Sequence, residues 1–187
     1  MPAECPLLAT SFLNSPVIYK GGYPYFINPV SDGIPCMSRE LLDEVADALV
    51  EVSEFDCDLI LAPEAMGIPL AVAVTERTGI PYSVIRKRKY GIDGEISLDQ
   101  TTGYSRSPMY INGIGKGDRV ALVDDVISTG GTLRSIAEAL SGAGAVVTEV
   151  SAVFSKCRDI GKLSEELDIR INYLLEVSSE DGRPRIL

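Results

Sequence analysis

The sequence predicts an α/β protein with a central, mostly parallel sheet flanked by helices. Short apolar runs rich in valine, isoleucine and leucine alternate with longer segments in which apolar residues recur every three or four positions. Such alternation is typical of parallel strands joined by crossover helices. The chain has 187 residues, of which 45% are hydrophobic and 24% charged. This size and composition suit one globular domain over residues 1–187.

The first half of the chain contains two predicted strands and two predicted helices. Ser38, a residue type that caps helix N-termini, precedes an apolar stripe at helical spacing over residues 41–52. The apolar run at residues 59–62 predicts a buried strand. A loop and a helix follow it, and the helix ends at Gly79, because glycine commonly follows the last helical turn. Residues 82–85 form the next predicted strand.

The second half repeats the pattern around a central strand–loop–helix unit. A stripe at Leu133, Ile136, Ala137 and Leu140 has the spacing of one helix face. Residues 1–20 and the polar tail at residues 178–187 carry little signal, and we expect the tail to be peripheral. The remaining predicted elements are strands at 109–111, 120–123, 146–154 and 171–177 and a short helix at 159–167.

Composition excludes several classes of protein. The net charge is −10, which argues against non-specific nucleic-acid binding and means that an anionic substrate needs a local cationic patch. No apolar run is long enough to span a bilayer, and the first 19 residues do not resemble a signal peptide, so we expect no membrane association. The four cysteines lack CxxC spacing, and there is no histidine. We therefore expect free thiols, a cytoplasmic location and no zinc-based or histidine-based catalysis.

One stretch, residues 120–132, has three parts with different chemical properties. Its apolar start predicts a buried strand, Asp124 and Asp125 lie at the carboxyl end of that strand, and a loop rich in hydroxyls and glycine leads into a helix. Unpaired N–H groups at a helix N-terminus bind phosphate. Carboxylates repel phosphate but accept hydrogen bonds from ribose hydroxyls. An ordinary helix cap is the alternative, but a cap needs only one such side chain, and the loop lacks the lysine and spacing of a P-loop.

This stretch resembles the phosphoribosyl-pyrophosphate signature of the type I phosphoribosyltransferases, which has an apolar run, paired acids, two apolar residues and a small-Thr-Gly-Gly-Thr loop. The resemblance implies the fold of that family and places Asp124 and Asp125 as catalytic acids on the ribose hydroxyls. The residues that it implies for binding the 5′-phosphate are Ser128, Thr129, Gly130, Gly131 and Thr132.

Two further segments resemble the pyrophosphate-binding parts of the family. The residues implied for this role are Glu64, Ala65, Met66, Gly67, Arg86, Lys87 and Arg88. The family often has a cis peptide in the first segment, and we place it between Glu64 and Ala65. Adenine-specific relatives carry arginine where this chain has Met66, so backbone N–H groups must supply more of the contact. The second segment lies within residues 86–89, which form the densest cationic cluster in this acidic protein. The planar guanidinium of arginine suits paired phosphate oxygens.

An aromatic, turn-rich segment at residues 21–29 resembles the small hood that covers the purine in the adenine-specific relatives. We expect this hood over about residues 1–35 and the core over about 36–177. Phe26 is expected to stack on the base and Val126 to cover its other face. Backbone groups near Tyr25 and Ile27 are expected to recognise the edge of the base. A surface loop packed on the core by its aromatic rings is the alternative.

Residues 90–107 show no clear apolar period and contain several glycines and hydroxyls. Long irregular loops in compact domains are often lids, and a lid would exclude water from a reacting sugar. The resemblance places Tyr104 and Ser105 in this lid. A long hairpin is the alternative, because residues 95–98 alternate between polar and apolar side chains.

The resemblance is strongest to the archaeal-type hypoxanthine/guanine phosphoribosyltransferases. It implies transfer of the 5-phosphoribosyl group from phosphoribosyl pyrophosphate to a purine, giving the nucleoside monophosphate and pyrophosphate. It also implies a homodimer and a Mg²⁺ cofactor that Asp124 and Asp125 hold indirectly, through ribose hydroxyls or water. The carboxylates that serve as acid or base in related enzymes are absent, because Ser128 and Gly103 occupy their positions.

Three alternatives remain open at this point. The first is adenine as the preferred base, because side-chain identities alone do not distinguish a 6-oxo from a 6-amino purine. The second is a regulator that binds phosphoribosyl pyrophosphate without catalysis, although the chain has no basic face for DNA. The third is a pyrimidine substrate, against which the aromatic hood and the Ile-Arg-Lys-Arg segment argue.

Overall fold

The computed structural model describes residues 4–101 and 106–187. Within these ranges none of the helices is both long and apolar enough to cross a membrane. The elements in chain order are α1 (Pro6–Leu13), β1 (Val17–Lys20), β2 (Tyr23–Phe26), α2 (Pro29–Asp32), α3 (Arg39–Val52), β3 (Leu59–Pro63), α4 (Gly67–Thr78), β4 (Tyr82–Ile85), β5 (Ile96–Thr101), β6 (Arg106–Ile111), β7 (Arg119–Ile127), α5 (Gly131–Gly142), β8 (Val146–Ser155), α6 (Ile160–Leu167), β9 (Arg170–Ser178) and β10 (Arg185–Ile186).

Six strands form the central sheet in the order β10-β9-β8-β7-β3-β4. All neighbouring pairs are parallel except the last two strands of the chain, β9 and β10, which are antiparallel. The chain order reverses around β7, which lies between β3 and β8. The predicted α/β class with a mostly parallel sheet is confirmed, and the carboxyl ends of β3, β7 and β8 meet at one edge.

Two apolar layers cover the faces of this sheet. One layer packs α1, α3, α4 and the β2 segment against the sheet, and it includes the buried side chains of Leu8, Leu49 and Leu70. The other layer packs α5, α6 and the β5–β6 hairpin against the opposite face. Strand β7 is buried from Val120 to Val123, because helices cover both of its faces, as its continuous apolar run predicts.

Most of the predicted elements in the core agree with the structure. The side chain of Ser38 caps α3 by accepting a hydrogen bond from Leu41 N–H at 3.2 Å, and Gly79 follows α4 with a φ of 75°. Strand β7 continues beyond the predicted apolar run to Ile127. Asp124 and Asp125 are therefore part of the strand, whose ladder to β8 fixes their backbone.

Two terminal segments contain more structure than the sequence indicated. Residues 4–35 form α1, the β1–β2 hairpin and α2, and Leu8 and Phe12 of α1 are fully buried. The tail is not wholly peripheral, because Ser179 is fully buried and strand β10 pairs with β9. The polar composition of the tail gave no sign of this packing, because the one buried residue in the tail is a serine that hydrogen bonds hold in place.

The segment expected to be an irregular lid forms an antiparallel hairpin of β5 and β6 from Ile96 onward in the part that the structure describes, whereas residues 90–95 before it are irregular. Leu98, Met109 and Ile111 anchor this hairpin in the second apolar layer. A bridge between Arg86 and Tyr110 joins it to the chain just after β4. The hairpin alternative is thus confirmed for the described strands, whereas Tyr104 and Ser105 lie outside the described residues.

Candidate active site

A cavity of about 330 Å³ lies at the carboxyl ends of β3, β7 and β8. It brings together residues from β2, the β3–α4 loop, β7, the β7–α5 loop and the segment after β8. The lining includes Tyr23, Tyr25, Phe26, Ser31, Glu64, Ala65, Met66, Lys87, Asp124, Asp125, Val126, Ser128, Thr129, Gly130, Gly131, Thr132 and Lys156. Segments that are up to 133 positions apart in the chain therefore share one cavity.

The β7–α5 loop, residues 128–132, leads directly into the first turn of α5 and lines the cavity at every position. Gly130 has a φ of 75°, a left-handed conformation that favours glycine. The N-cap residue of α5 is Gly130, which has no side chain to cap the helix, and the Gly131 N–H makes a long hydrogen bond of 3.4 Å to Thr129 Oγ1. A helix N-terminus of this kind, surrounded by three hydroxyls, suits an anion such as phosphate.

Asp124 and Asp125 lie side by side at the floor of the cavity. An oxygen of Asp124 accepts a hydrogen bond from Asp125 N–H at 2.9 Å. Burial raises the pKa of Asp124 and raises the pKa of Asp125 well above its ordinary value, and the adjacent charge of Asp124 raises the latter further. Groups that donate hydrogen bonds, or a cation, would relieve this repulsion and favour the ionised pair.

The β3–α4 loop lines another part of the cavity, next to β7 in the sheet. The peptide between Glu64 and Ala65 is cis, as predicted. Gly67 begins α4 behind the cavity, where a Cβ atom would lie 2.9 Å from the carbonyl oxygen of Val123. Only glycine therefore permits this close approach of α4 to β7, so Gly67 has a packing role and does not line the cavity.

The cationic segment after β4 contributes to the site unequally. Lys87 lines the cavity, whereas Arg86 and Arg88 do not. The Nε of Arg86 lies 3.3 Å from an oxygen of Glu64, but it is buried and outside hydrogen-bond geometry. The same oxygen of Glu64 accepts a hydrogen bond from Lys87 N–H at 3.2 Å. Arg88 lies outside the cavity, with its guanidinium carbon 5.7 Å from the centre of the Tyr90 ring.

The hood supplies aromatic side chains to the opposite side of the cavity. Tyr25 and Phe26 line it, but Phe26 is only 4% exposed. Its ring packs against Phe12 and Phe154, with centroid distances of 5.1 and 5.4 Å. Little of this ring is available to a ligand, so Phe26 acts mainly as a core residue. Val126 lines the cavity from β7, as expected.

Ile27, which we expected near the base, does not line this cavity. Its N–H donates a hydrogen bond to the carbonyl of Pro16 at 2.9 Å, because residue 27 ends the hairpin pairing that begins at Val17. The side chain borders a separate apolar depression with Ile34 and Pro35. The Ile27 N–H is therefore used within the hood, and among the two positions near which we expected backbone groups to recognise the base, only Tyr25 lines the cavity.

Lys156 and Tyr23 are two lining residues that the sequence analysis missed. Lys156 Nζ donates hydrogen bonds to the carbonyl of Pro24 at 3.0 Å and to Ser179 Oγ at 3.3 Å, and it lies 4.4 Å from the centre of the Tyr23 ring. The hydroxyl of Tyr23 is 2.8 Å from that of Ser128. Lys156 follows β8 directly, so the strand-end rule that indicated the two aspartates could also have indicated this lysine.

Together, the parallel sheet, the hydroxyl- and glycine-rich β7–α5 loop and the paired Asp124 and Asp125 at a strand end define an α/β protein whose cavity suits a sugar phosphate. Residues 38–171 match the family model described as the phosphoribosyl transferase domain. The chain therefore belongs to the phosphoribosyltransferase family, whose members are pentosyltransferases.

Archaeal proteins are the curated relatives that resemble the chain over most of its length. A hypoxanthine/guanine phosphoribosyltransferase of Methanohalophilus mahii is 47% identical over 177 residues, covering 94% of this chain and 93% of the relative. The protein of the same name from Methanosarcina acetivorans is 49% identical over 176 residues, covering 94% and 93%. That from Methanothermobacter thermautotrophicus is 45% identical over 179 residues, covering 96% and 93%.

Solved structures of adenine phosphoribosyltransferases share the fold. The enzyme from Thermoanaerobacter pseudethanolicus superimposes with a TM-score of 0.73 at 22% identity, covering 90% of this chain and 99% of the other. The Saccharomyces cerevisiae enzyme, solved with an iminoaltritol bisphosphate and adenine, gives a TM-score of 0.69 at 21% identity, covering 90% and 98%. At this level of identity the likeness concerns the fold alone.

Proposed function

We propose that the protein is a hypoxanthine/guanine phosphoribosyltransferase of purine salvage. It would join the free base to the ribose of phosphoribosyl pyrophosphate and release pyrophosphate. The names of its archaeal relatives, at 45–49% identity over most of both chains, support this choice. The observation that carries it is the arrangement of three chemically distinct walls around one cavity.

The three walls match the three charged or polar parts of phosphoribosyl pyrophosphate. The phosphate loop (residues 128–132) would bind the 5′-phosphate through backbone N–H groups and hydroxyls. The acid pair (Asp124 and Asp125) would accept hydrogen bonds from the ribose hydroxyls. The pyrophosphate loop (residues 64–66), with Lys87, would bind pyrophosphate at another part of the cavity wall. Arg86 would add its positive charge from behind Glu64.

A ligand seated in this way places the reacting carbon of the sugar between the acid pair and the pyrophosphate loop. Loss of pyrophosphate makes that carbon cation-like, and the acid pair lies on the side where positive charge develops. Holding both substrates in one cavity supplies most of the remaining rate enhancement through proximity and orientation. The tight packing of Gly67 against Val123 keeps the pyrophosphate loop close to β7.

The residues around the cavity fit the proposed use of Mg²⁺. Within the described ranges no group of three or more acidic or cysteine side chains forms a metal cage. Mg²⁺ in phosphate-transfer sites is bound by one or two carboxylates together with substrate oxygens, and the acid pair offers two carboxylates. A bound Mg²⁺ would neutralise charge on the departing pyrophosphate.

Lys156 supports a 6-oxo purine as the base. Its ammonium group has three donors and no acceptor, and it lines the cavity on the hood side together with Tyr23 and Val126. Hypoxanthine and guanine carry a carbonyl acceptor at C6, whereas adenine carries an amino group that donates. A lysine at the base subsite therefore favours the 6-oxo bases. In the free protein this lysine is held by the Pro24 carbonyl and Ser179.

The same proposal includes a cytoplasmic location and a homodimer. All four cysteines are free thiols, which is usual in a reducing compartment. The homodimer is proposed from the resemblance to the family.

Product formation tests the proposed function directly. The purified protein is incubated with phosphoribosyl pyrophosphate, Mg²⁺ and one base at a time, and both pyrophosphate and nucleoside monophosphate are measured. We expect turnover with hypoxanthine and guanine and much slower turnover with adenine. Preferential use of adenine or of a pyrimidine would contradict the assignment of the base. Binding of phosphoribosyl pyrophosphate without turnover of any base would identify a regulator.

A further inference from the structure

Arg134, in the first turn of α5, contacts both α6 and the phosphate loop. Its Nε and Nη2 donate to the two carboxylate oxygens of Glu166 at 2.7 and 2.8 Å. Its Nη1 donates to the carbonyl oxygen of Thr129 at 3.0 Å. One planar guanidinium therefore joins the end of α6 to the backbone of the loop.

The side chains that pack against Gly130 of the loop also belong to α6 and to Arg134. A Cβ atom at Gly130 would lie 2.7 Å from Leu163 Cδ2 and 2.9 Å from Arg134 Nη1. Leu163 of α6 is buried and Arg134 lies beside it, so both residues contact the loop backbone where it turns into α5. The loop therefore rests on α6 through one apolar contact and one guanidinium.

We propose that Arg134 is a positioning residue for the 5′-phosphate subsite and that Glu166 holds it in place. This inference rests on the proposed function. The Thr129 carbonyl accepts a hydrogen bond from Arg134 on the α6 side. Because the C=O and N–H of one trans peptide point in opposite directions, this hydrogen bond directs the Gly130 N–H away from α6. Arg134 does not line the cavity among the residues described, so it acts through the loop and not by touching the ligand.

Replacing Glu166 separates this proposal from a purely electrostatic effect on phosphate binding. Its negative charge lies near the site of a phosphate dianion, so by Coulomb's law alone its removal should strengthen phosphate binding. If Glu166 instead anchors Arg134, its removal should weaken phosphate binding, because the guanidinium no longer holds the Thr129 carbonyl. The two explanations therefore predict opposite changes for Glu166→Gln.

The test measures dissociation constants of two ligands by calorimetry, ribose 5-phosphate for the phosphate loop and magnesium pyrophosphate for the pyrophosphate loop. For Arg134→Gln and Glu166→Gln we expect weaker binding of ribose 5-phosphate, by about tenfold and about threefold, which correspond to about 1.4 and 0.65 kcal/mol. Pyrophosphate binding should change less than twofold. Arg134→Lys should restore little, because a single ammonium cannot span both partners.

A control is Arg119→Gln, which breaks the ion pair with Asp56 at the opposite end of β7, where the arginine is about as exposed as Arg134. It should leave both constants unchanged. Stronger binding of ribose 5-phosphate to Glu166→Gln would overturn the proposal, and so would equal losses for both ligands, since these indicate general destabilisation. If the unmodified protein binds neither ligand, the proposed function itself fails.

Discussion

The hydroxyl of Tyr23 lies 2.8 Å from the hydroxyl of Ser128, across 105 positions of the chain. Tyr23 begins the second strand of the hood, and Ser128 begins the phosphate loop. The hydrogen bond therefore joins the part of the cavity proposed for the base to the part proposed for the 5′-phosphate. We expect that the position of the hood depends on the phosphate loop.

Tyr23→Phe removes this link while keeping the ring that packs beside Lys156. A single hydrogen bond contributes about 0.5–1.5 kcal/mol net, so the KM for hypoxanthine should rise by roughly two- to tenfold. The melting temperature should change little, because the aromatic packing remains. Steady-state kinetics at saturating phosphoribosyl pyrophosphate measure the effect. Tyr82→Phe, at the far end of the sheet, is the control, and an equal change there would refute the link.

Lys156→Met tests the recognition of the base. The substitution keeps the length of the side chain but removes the donor, and a hydrogen bond to a charged group is worth about 1.5–3 kcal/mol. We expect kcat/KM for hypoxanthine to fall by about 10- to 100-fold. The kcat/KM for adenine should fall much less, so that the preference for hypoxanthine over adenine becomes smaller.

The control for this prediction is Lys162→Met, an exposed lysine in α6. It changes the net charge by the same amount away from the cavity, so both bases should be used at the original rates. Equal losses for hypoxanthine and adenine in Lys156→Met would contradict a role in distinguishing them.

Gly130→Ala should damage the phosphate loop. The residue has a φ of 75°, and the added Cβ would lie 2.7 Å from Leu163 Cδ2. The left-handed conformation alone costs a non-glycine residue about 1–2 kcal/mol, so thermal unfolding should begin at a lower temperature and ribose 5-phosphate should bind less tightly. Gly142→Ala provides the comparison, because its Cβ meets open space at the end of α5. We expect that variant to be as stable as the original protein or slightly more stable.

The raised pKa of Asp125 predicts a pH-dependent effect on stability. In the unfolded chain this carboxyl ionises at its ordinary pKa, whereas the folded protein keeps its proton to higher pH, so folding becomes less favourable as the pH rises above the ordinary value. Asp125→Asn removes this cost. The variant should melt at a higher temperature than the original protein at pH 7, and the difference should shrink toward pH 4.

The pKa of Asp43 is shifted in the other direction, which predicts the opposite effect of pH on stability. The hydrogen bond from Arg77 lowers the pKa of Asp43, so its ionised form stabilises the folded protein above the ordinary pKa, and this stabilisation is lost as the pH falls through the lowered value. Asp43→Asn should therefore melt at a lower temperature at pH 7. Thermal unfolding compares Asp125→Asn with the original protein across pH 4–8, and Asp43→Asn with it from pH 8 to below pH 4, because the stabilisation by Asp43 is lost only below its ordinary pKa. A lower melting temperature for Asp125→Asn at pH 7 would contradict the repulsion in the acid pair.

The sequence predicted the parts of the site that follow from local pattern. A buried strand that ends in Asp124 and Asp125 and leads through glycines into a helix places its loop at the carboxyl edge of a parallel sheet. The β3–α4 and β7–α5 loops line one cavity at that edge, as expected. Lys156 lies at the same edge, directly after β8, but its position at a strand end did not by itself show that it contacts the hood. Its role depends on the hood, which is positioned by long-range packing.

The hood was predicted less well for the same reason. Phe26 packs with Phe12 of α1 and with Phe154 of β8. Both partners lie outside residues 21–29, so the burial of Phe26 could not be inferred from that segment alone. The buried face of α1 depends on Leu8 and Phe12, one turn apart in a helix of eight residues. Such a short stripe is too weak a signal without the surface that covers it.

The acid pair and the phosphate loop are the centre of this account, and one titration tests them most directly. The double variant Asp124→Asn/Asp125→Asn, shown to be folded by circular dichroism, is titrated calorimetrically with phosphoribosyl pyrophosphate in the presence of Mg²⁺, alongside the original protein. Replacing both carboxylates removes two charged hydrogen-bond acceptors, and we predict at least about 100-fold weaker binding and loss of turnover. Unchanged affinity and turnover would contradict the account.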